Sequence, residues 1–275
     1  MLSKGGKMKK QQILALTEAG IMVALSTVLS LFKLLEMPYG GSVTFASMLP
    51  IIIFAYRHGA KWGISAALTS SVIQLLLGLK NFSYFTTWQS IVALALFDYI
   101  LAFAIFGIAP VFKKRLPYTA AIFASALVPS VLRYIFHVIS GATIWAGLSI
   151  PTEAALIYSI GYNATYMIPE TIVLVTAAVY LASAVDFSKT VPTRNRTAEN
   201  IGYIPKTLGA LVLVFAVIFD TVKIFEVIQD AETGDFVIKN LAYANWWAIG
   251  GVSVAALAIF VAIMLVAQKY KAKNN

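Results

Sequence analysis

The sequence has no cysteine and unusually little charge. Only 12% of its 275 residues are charged and 60% are hydrophobic, whereas a typical soluble domain has about 25% charged and about 45–50% apolar residues. So little charge cannot solvate the surface of a globule of this size. Soluble enzymes, nucleic-acid binders and secreted disulfide scaffolds are therefore excluded. The missing cysteines also exclude thiolate zinc sites, iron–sulfur clusters and cysteine nucleophiles.

The sequence also lacks the short motifs that bind nucleotides or metals. It contains no GxxxxGK[ST] phosphate-binding loop, no HExxH motif and no Rossmann glycine pattern. We therefore predict no cofactor and no enzymatic activity. If the protein moves a solute uphill with ATP, the ATPase has to be a separate chain.

Long apolar stretches joined by short loops make up most of the chain. A helix that crosses a bilayer needs about 20 apolar residues, and most of the stretches are that long. They predict an all-α polytopic membrane protein. The stretches are residues 13–35, 43–56, 63–79, 88–112, 118–145, 153–185, 207–227 and 246–267.

One apolar stretch is too short for a full span, and one polar segment divides the chain. The stretch 43–56 is short for a full span, so we expect it to be tilted, partial or continued by its neighbours. A polar segment separates the first six stretches from the last two. The predicted parts are a six-helix core at 1–185, a cytoplasmic linker at 186–206 and a two-helix membrane hairpin of unassigned role at 207–275.

Basic residues predict the orientation in the membrane. With the N-terminus in the cytoplasm and alternating crossings, 16 of the 21 Lys and Arg residues lie on the cytoplasmic side, as the positive-inside rule requires. Both termini are then cytoplasmic. Glu18 lies near the cytoplasmic end of the first stretch, and we expect it to reach that interface.

Polar residues within the apolar stretches predict a pocket. Ionisable groups in a membrane are costly and are usually functional or paired. A rise of 1.5 Å per residue puts Asp98, His137 and Asn163 about 12–15 Å below the outer surface, on three different helices. Three polar groups at one depth are what a pocket open to the outside requires.

Other ionisable residues have simpler interpretations. Arg133 is as well suited to pair with Asp98 or Glu170 as to contact a ligand. Asp220 and Lys223 are three residues apart on a predicted helix, so we expect them to pair with each other or to reach the membrane surface.

A stripe of residues supports the pocket. Arg133, His137, Gly141 and Trp145 recur every four residues on one helix face, and Gly141 leaves room for close approach to the backbone. A carboxylate, a histidine, an amide and aromatic rings suit a small flat cation, because ring faces attract cations by about 0.5–2 kcal/mol each. Aromatic residues near helix ends also fit an interfacial belt. Those near the predicted mouth are Tyr39, Tyr84, Trp88, Tyr158 and Tyr162.

Six segments occur in a specific order along residues 10–185. They are GGSVTF at 40–45, MLPI at 48–51, DYILAF at 98–103, RYIFHVISG at 133–141 with Trp145 after it, YSIGYN at 158–163 and YMIPE at 166–170. Together they resemble the thiamine-specific S components of energy-coupling factor (ECF) transporters, the ThiT/YuaJ family.

The resemblance implies a six-helix S-component bundle, to which this chain adds two C-terminal transmembrane helices. It implies a thiamine site near the outer face, closed by the loop between the first two helices. Asp98 matches the acidic residue that contacts the aminopyrimidine, and Trp145 matches the ring that stacks on the ligand. The other matching substrate-binding positions are Tyr99, His137, Gly141, Tyr158, Asn163 and, in the outer loops, Tyr39 and Tyr84.

The resemblance also implies partners and a location. Proteins of this kind lie in the bacterial plasma membrane, do not hydrolyse ATP, and dock onto an ECF module made of a transmembrane T subunit and two ATPases. The vitamin is then delivered inward. Small residues of the first helix serve as the docking surface, and the matching candidates here are Ala15, Ala19, Gly20 and Ala24.

Two other functions stay open at this point. The protein is alternatively a stand-alone proton-coupled carrier of thiamine or a related vitamin, using Asp98, His137 or Glu170. A membrane enzyme or assembly factor built on His137 and the carboxylates is the third possibility. No Lys/Arg cluster is evident in the outer loops, which disfavours a strongly phosphorylated ligand.

Overall fold

The computed structural model describes residues 3–37, 40–85, 87–147, 152–195, 203–228 and 237–274. Over these residues, seven helices are long and apolar enough to cross a membrane, which confirms an all-α polytopic membrane protein. The helices are α1 (Ser3–Leu31), α2 (Leu49–His58), α3 (Ala60–Leu77), α4 (Trp88–Phe112), α5 (Tyr118–Gly147), α6 (Thr152–Ala184), α7 (Tyr203–Ile228) and α8 (Trp246–Asn274).

Helix α2 is too short to cross a bilayer. Its ten residues extend about 15 Å, and every residue from Leu49 to Tyr56 is buried. Pro50 occupies the first turn, where its missing N–H leaves no helical hydrogen bond unmade. Gly59, with φ of 89°, ends the helix and redirects the chain into α3. The expectation of a partial span at 43–56 is confirmed.

The first apolar stretch, 13–35, is not helical to its end. Its last residues form β1 (Lys33–Glu36), which pairs antiparallel with β2 (Ser42–Thr44). We call these two strands the first hairpin. Leu34 and Leu35 on β1 pack against a buried apolar cluster, so the extended conformation still removes this apolar segment from solvent.

Helix α4 changes its winding along its length. The segment that carries Asp98 and Tyr99 is a π-helix, a wider form that is rare and often lies at functional sites. Along the chain, α4 is α-helical over Trp88–Ala93, π-helical over Leu94–Leu101, α-helical over Ala102–Ala104 and 3₁₀-helical over Ile105–Phe112.

The main core lies around α2, which packs against α1, α3, α4 and α5. Ile51, Ile52 and Phe54 of α2 are fully buried. Helices α3 and α4 cross at Gly63 and Gly107, where a Cβ on either residue would lie within 3 Å of the backbone of the other helix. Small residues permit this close crossing, as is common between membrane helices.

The base of α1 is tied to the turn after α2. Glu18 accepts hydrogen bonds from Arg57 Nε at 2.5 Å and Nη2 at 3.2 Å, and its Oε2 lies 2.8 Å from His58 Nε2. Arg57 also donates to the carbonyls of Lys189 and Thr190. Glu18 is therefore held inside an ion-pair cluster, because α1 packs beside α2 at this point. The expectation that it reaches the cytoplasmic interface stays a prediction.

The predicted linker 186–206 is partly structured. It begins in a short hairpin of two-residue strands, in which β3 (Val185–Asp186) pairs with β4 (Thr193–Arg194). Its last residues belong to α7. Helices α7 and α8 pack against each other, and α7 also packs against α6. The pair of C-terminal helices, α7 and α8, is thus joined to the core through α6.

Of the two expectations for Asp220 and Lys223, pairing with each other is wrong, whereas reaching the membrane surface is not tested. Asp220 accepts a hydrogen bond from Ser253 on α8, and Lys223 Nζ lies 2.6 Å from Glu226 Oε2. Asp220 faces the contact between α7 and α8, where Ser253 donates to its Oδ2, while its buried Oδ1 has no hydrogen-bond partner among the described residues. Lys223 finds its own partner one turn further along α7.

Candidate binding site

A cavity of about 220 Å³ lies between the first hairpin and helices α3 to α6. Residues from all of these elements line it, so it is assembled only when the chain folds. Five of the residues expected to bind substrate are among its lining: Asp98, Tyr99, His137, Gly141 and Asn163.

The other four residues expected to bind substrate are not among the lining residues that the structure describes. Tyr84 is half exposed beside it, and Tyr158 is half-buried and stacks on Tyr162, with ring centroids 6.4 Å apart. Tyr162 itself lines the cavity. Tyr39 lies outside the described residues, as does the side chain of Trp145.

Four ionisable side chains form one hydrogen-bonded chain along the cavity. His137 Nδ1 lies 2.7 Å from Asp98 Oδ1. Arg133 donates from Nε to His137 Nε2 at 3.1 Å, and from Nη1 to Glu170 Oε1 at 3.2 Å. Arg133 therefore pairs directly with Glu170 and reaches Asp98 only through His137.

This chain sets the tautomer of His137. A guanidinium has donors only, so His137 Nε2 has to present its lone pair to Arg133. The remaining ring proton is then on Nδ1, where it donates to Asp98. In this geometry Nε2 accepts from Arg133 and Nδ1 donates to Asp98.

The inner part of the cavity has an excess of negative charge. It contains two carboxylates, Asp98 and Glu170, and one guanidinium, Arg133, from which His137 accepts a hydrogen bond. Arg133 and Glu170 are 7% and 3% exposed, and Glu170 Oε2 has no hydrogen-bond partner among the described residues. Because unbalanced buried charge is costly, this arrangement favours a cationic ligand.

The first hairpin takes part in the same network. Thr44 Oγ1 donates to Glu170 Oε1 at 3.0 Å and lies 2.8 Å from Ser47 Oγ. Thr44 and Ser47 are both buried. The buried carboxylate on α6 thus connects the hairpin to the inner wall of the cavity.

Asn163 and Gly141 hold α5 against α6. Asn163 donates from Nδ2 to the carbonyls of His137 at 3.2 Å and Ser159 at 2.9 Å, and its Oδ1 accepts from Tyr166 at 2.6 Å. A Cβ at Gly141 would overlap the Ser159 hydroxyl. The room that Gly141 provides is therefore used mainly by the neighbouring helix.

Tyr99 is fixed on the opposite wall. Its hydroxyl accepts a hydrogen bond from Asn81 Nδ2 at 2.8 Å and donates to the Gly78 carbonyl at 3.3 Å. A Cβ at Gly78 would overlap the ring and hydroxyl of Tyr99. The loop after α3 therefore positions this ring against the cavity.

Three charged side chains lie at the exposed mouth of the cavity. Lys33 Nζ and Lys80 Nζ lie 2.6 Å and 3.4 Å from Glu36 Oε1. The hydrogen bond from Lys33 lowers the pKa of Glu36 below its ordinary value. Sequence reasoning found no basic cluster here, because Lys33 lies within an apolar stretch and Lys80 is distant along the chain.

Sequence reasoning missed other lining residues. Glu170 was named only as a partner of Arg133 and as a proton carrier, not as a substrate-binding residue, although it is a carboxylate inside an apolar stretch. Thr44, Gln74 and Asn81 also line the cavity, but short polar residues are common in membrane helices and in loops. Only the fold reveals that they meet.

Two comparisons identify similar proteins. The family model described as "Thiamine transporter protein (Thia_YuaJ)" matches residues 16–188. The chain is 34% identical over 177 residues to "Thiamine transporter ThiT" of Bacillus subtilis (strain 168), which covers 60% of this chain and 88% of that protein. The described cavity residues lie within the range of the family model, and α7 and α8 lie outside it.

Proposed function

Because the chain belongs to the Thia_YuaJ family of thiamine transporter proteins, we propose that it is the membrane-embedded subunit that captures thiamine from outside. Thiamine occupies the cavity between the first hairpin and helices α3 to α6. A separate ECF module, made of a transmembrane T subunit and two ATPases, then drives its delivery into the cell.

The excess negative charge in the inner cavity is the observation that carries this proposal. Thiamine has a permanently cationic thiazolium ring joined to an aminopyrimidine. Asp98 lines the cavity and keeps part of its side chain exposed. Its carboxylate accepts a hydrogen bond from the amino group of thiamine while His137 Nδ1 contacts Oδ1. The cationic ring offsets the negative charge that Asp98 and Glu170 leave unbalanced.

The remaining expected residues complete this site. Trp145 stacks on the ligand, Tyr99 contacts it from the opposite wall, and Asn163 and Gly141 keep α5 and α6 at the spacing that admits it. Aromatic rings near the mouth surround the ligand once the first hairpin is closed, and those proposed for this role are Tyr39, Tyr84 and Tyr158.

Charge at the other end of the molecule supports the orientation. Arg57 bonds to the carbonyls of Lys189 and Thr190, and Lys113 Nζ donates to the carbonyl of Tyr56 at 3.0 Å. These basic residues cluster where α2, α4 and α6 end, away from the cavity mouth. With this end in the cytoplasm, the mouth faces outward and both termini are cytoplasmic.

The docking surface for the ECF module is on α1. Ala15 is 3% exposed and Ala19 packs against the core. Gly20 and Ala24 are exposed, and no atom lies within 4 Å of a Cβ built on Gly20. Of the four small residues expected to dock, the pair formed by Gly20 and Ala24 is the one open to a partner.

Titration of the purified protein with thiamine, followed by tryptophan fluorescence, tests the proposal. We expect saturable quenching for the wild type. Asp98→Asn removes the negative charge and Trp145→Ala removes the stacking ring, so each should weaken binding at least tenfold, about 1.4 kcal/mol. Folded wild-type protein that does not bind micromolar thiamine would refute the assignment.

A stand-alone carrier driven by protons is the second candidate, because the network from Asp98 to Glu170 joins two carboxylates. The bond between Arg133 and His137 interrupts it as a proton path. Thiamine uptake into vesicles that contain this chain alone, under an imposed pH gradient, separates the candidates. Uptake there would favour the carrier, and uptake only with an ECF module would favour the capture subunit.

A further inference from the structure

The outer end of α7 reaches the wall of the cavity. Phe225 and Ile228 are 7% and 0% exposed, and they belong to one buried apolar cluster with Tyr162, Tyr166 and Met167 of α6. This end of α7 is fixed by a hydrogen bond of 2.7 Å from the Val237 amide to the Ile228 carbonyl. A helix outside the family's range thus packs directly behind residues of the site.

The same cluster includes the first hairpin. Met37 and Val43 are buried members of it. A Cβ at Gly41 would lie 2.7 Å from the ring of Tyr166 and 3.2 Å from Met37 Cβ, so the hairpin rests on Tyr166. Tyr162 and Tyr166 also line the cavity. One apolar cluster therefore connects α7, the cavity wall and the first hairpin.

We propose that the end of α7 braces the first hairpin in its closed position, with Phe225 and Ile228 as positioning residues that act through Tyr162 and Tyr166. The C-terminal helices then control how quickly a bound ligand leaves. The identity of that ligand rests on the proposed function, whereas the brace itself does not.

The physical basis is the difference between closed and open states. The first hairpin lines the cavity and carries the charged side chains at its exposed mouth, so in this proposal it moves away from Tyr166 when a ligand enters or leaves. Apolar contacts in the cluster are present when the hairpin is closed and are lost when it moves. Side chains that fill the cluster from behind therefore favour the closed state and slow its opening.

Amide hydrogen exchange in the full-length protein without ligand tests the brace directly. Phe225→Ala should speed exchange of the hairpin amides in residues 33–44 at least fivefold, because opening exposes bonds such as that between Met37 N–H and the Gly41 carbonyl. Amides of α2 and α3 should not change. Phe215→Ala is the matched control, since Phe215 lies on α7 with 67% exposure.

Thiamine dissociation gives a second readout. We expect the ligand to leave Phe225→Ala about tenfold faster than the wild type or Phe215→Ala, with an association rate within about threefold. If Phe225→Ala does not fold, Phe225→Leu and Ile228→Val provide smaller changes in the same direction. Hairpin exchange and dissociation equal to those of the control would overturn the brace.

The two proposals fail in different ways. A wild-type protein that binds no thiamine contradicts the proposed function, and the exchange experiment still decides the brace. A wild type that binds thiamine and a Phe225→Ala variant with unchanged hairpin exchange contradict the brace alone. Faster exchange spread over the whole variant would show general destabilisation and would also count against the brace.

Discussion

Arg133 and His137 lie one turn apart on α5, and Arg133 Nε donates to His137 Nε2 across 3.1 Å. The same guanidinium donates to Glu170 on α6 and lies 4.4 Å from the ring centroid of Phe103 on α4. One cation thus joins three helices at the inner wall of the cavity. It also determines which nitrogen of His137 faces Asp98.

Removing this cation should destabilise the protein through Glu170. Arg133→Gln leaves a buried carboxylate without its charged partner, and breaking a buried ion pair in this way typically costs about 3–5 kcal/mol. Arg133→Gln combined with Glu170→Gln should recover part of that loss, since no unpaired charge is left. Unfolding in detergent measures both, with the exposed Arg115→Gln as control. A double variant no more stable than Arg133→Gln would contradict this account.

Substituting Gly141 should disturb both stability and ligand binding. In Gly141→Ala the new Cβ overlaps the Ser159 hydroxyl, so α5 and α6 have to separate, at a cost of about 1–3 kcal/mol. We expect at least a tenfold loss of thiamine affinity in fluorescence titration and partial rescue by Ser159→Ala. Gly250→Ala, with no atom within 4 Å of its Cβ, should have neither effect. Equal behaviour of the two alanine variants would rule out the steric explanation.

The ion pairs of Glu36 should slow the opening of the first hairpin. The pKa of Glu36 is lowered below its ordinary value of 4.5, chiefly by the hydrogen bond from Lys33. The stabilisation is therefore complete above about pH 5 and is lost as the pH falls through the lowered pKa. Exposed pairs are weak, so we expect Glu36→Gln to speed thiamine dissociation only about two- to fivefold at pH 7.

High salt should reduce this difference, because exposed charges are screened. Stopped-flow dissociation at pH 7, at low and high salt, provides the measurement. Asp186→Asn, at the opposite end of the molecule, is the control. If thiamine leaves Glu36→Gln and the wild type at the same rate at low salt, the ion pairs of Glu36 with Lys33 and Lys80 do not slow the opening of the first hairpin.

The exposed small residues of α1 should be required for assembly and not for binding. Gly20→Leu places a bulky side chain where a partner helix would approach closely. We expect loss of co-purification with the ECF module and unchanged thiamine affinity. Gly250→Leu alters an equally open glycine on α8 and should assemble normally. Normal assembly of Gly20→Leu would show that the docking surface lies elsewhere.

Residues in regular helices could be placed from the sequence. A constant rise per residue predicted that Asp98, His137 and Asn163 lie at one depth, and in the structure His137 contacts both of the others. This prediction succeeds because it depends only on helix geometry and on the polarity of each side chain. The side of the membrane, which charge counts predict, stays a prediction.

Contacts between distant segments could not be placed in this way. Lys33 lies within a stretch that the sequence predicts to be helical, and only the pairing of β1 with β2 shows that the chain is extended there. The contact of Glu36 with Lys80 spans 44 residues. Asp220 was expected to pair with Lys223 or to reach the membrane surface, and its hydrogen bond from Ser253 depends on how α7 faces α8.

The π-helical segment of α4 makes the site sensitive to residue count. A π-helical segment has more residues in each turn than an α-helix, and here it carries both Asp98 and Tyr99 to the cavity lining. Deleting one residue of the segment, such as Ala95, would let it rewind as an ordinary helix and would turn one of these two side chains away. The hydropathy profile would hardly change. A homologue with a single gap at this position could therefore keep the membrane architecture and lose the ligand.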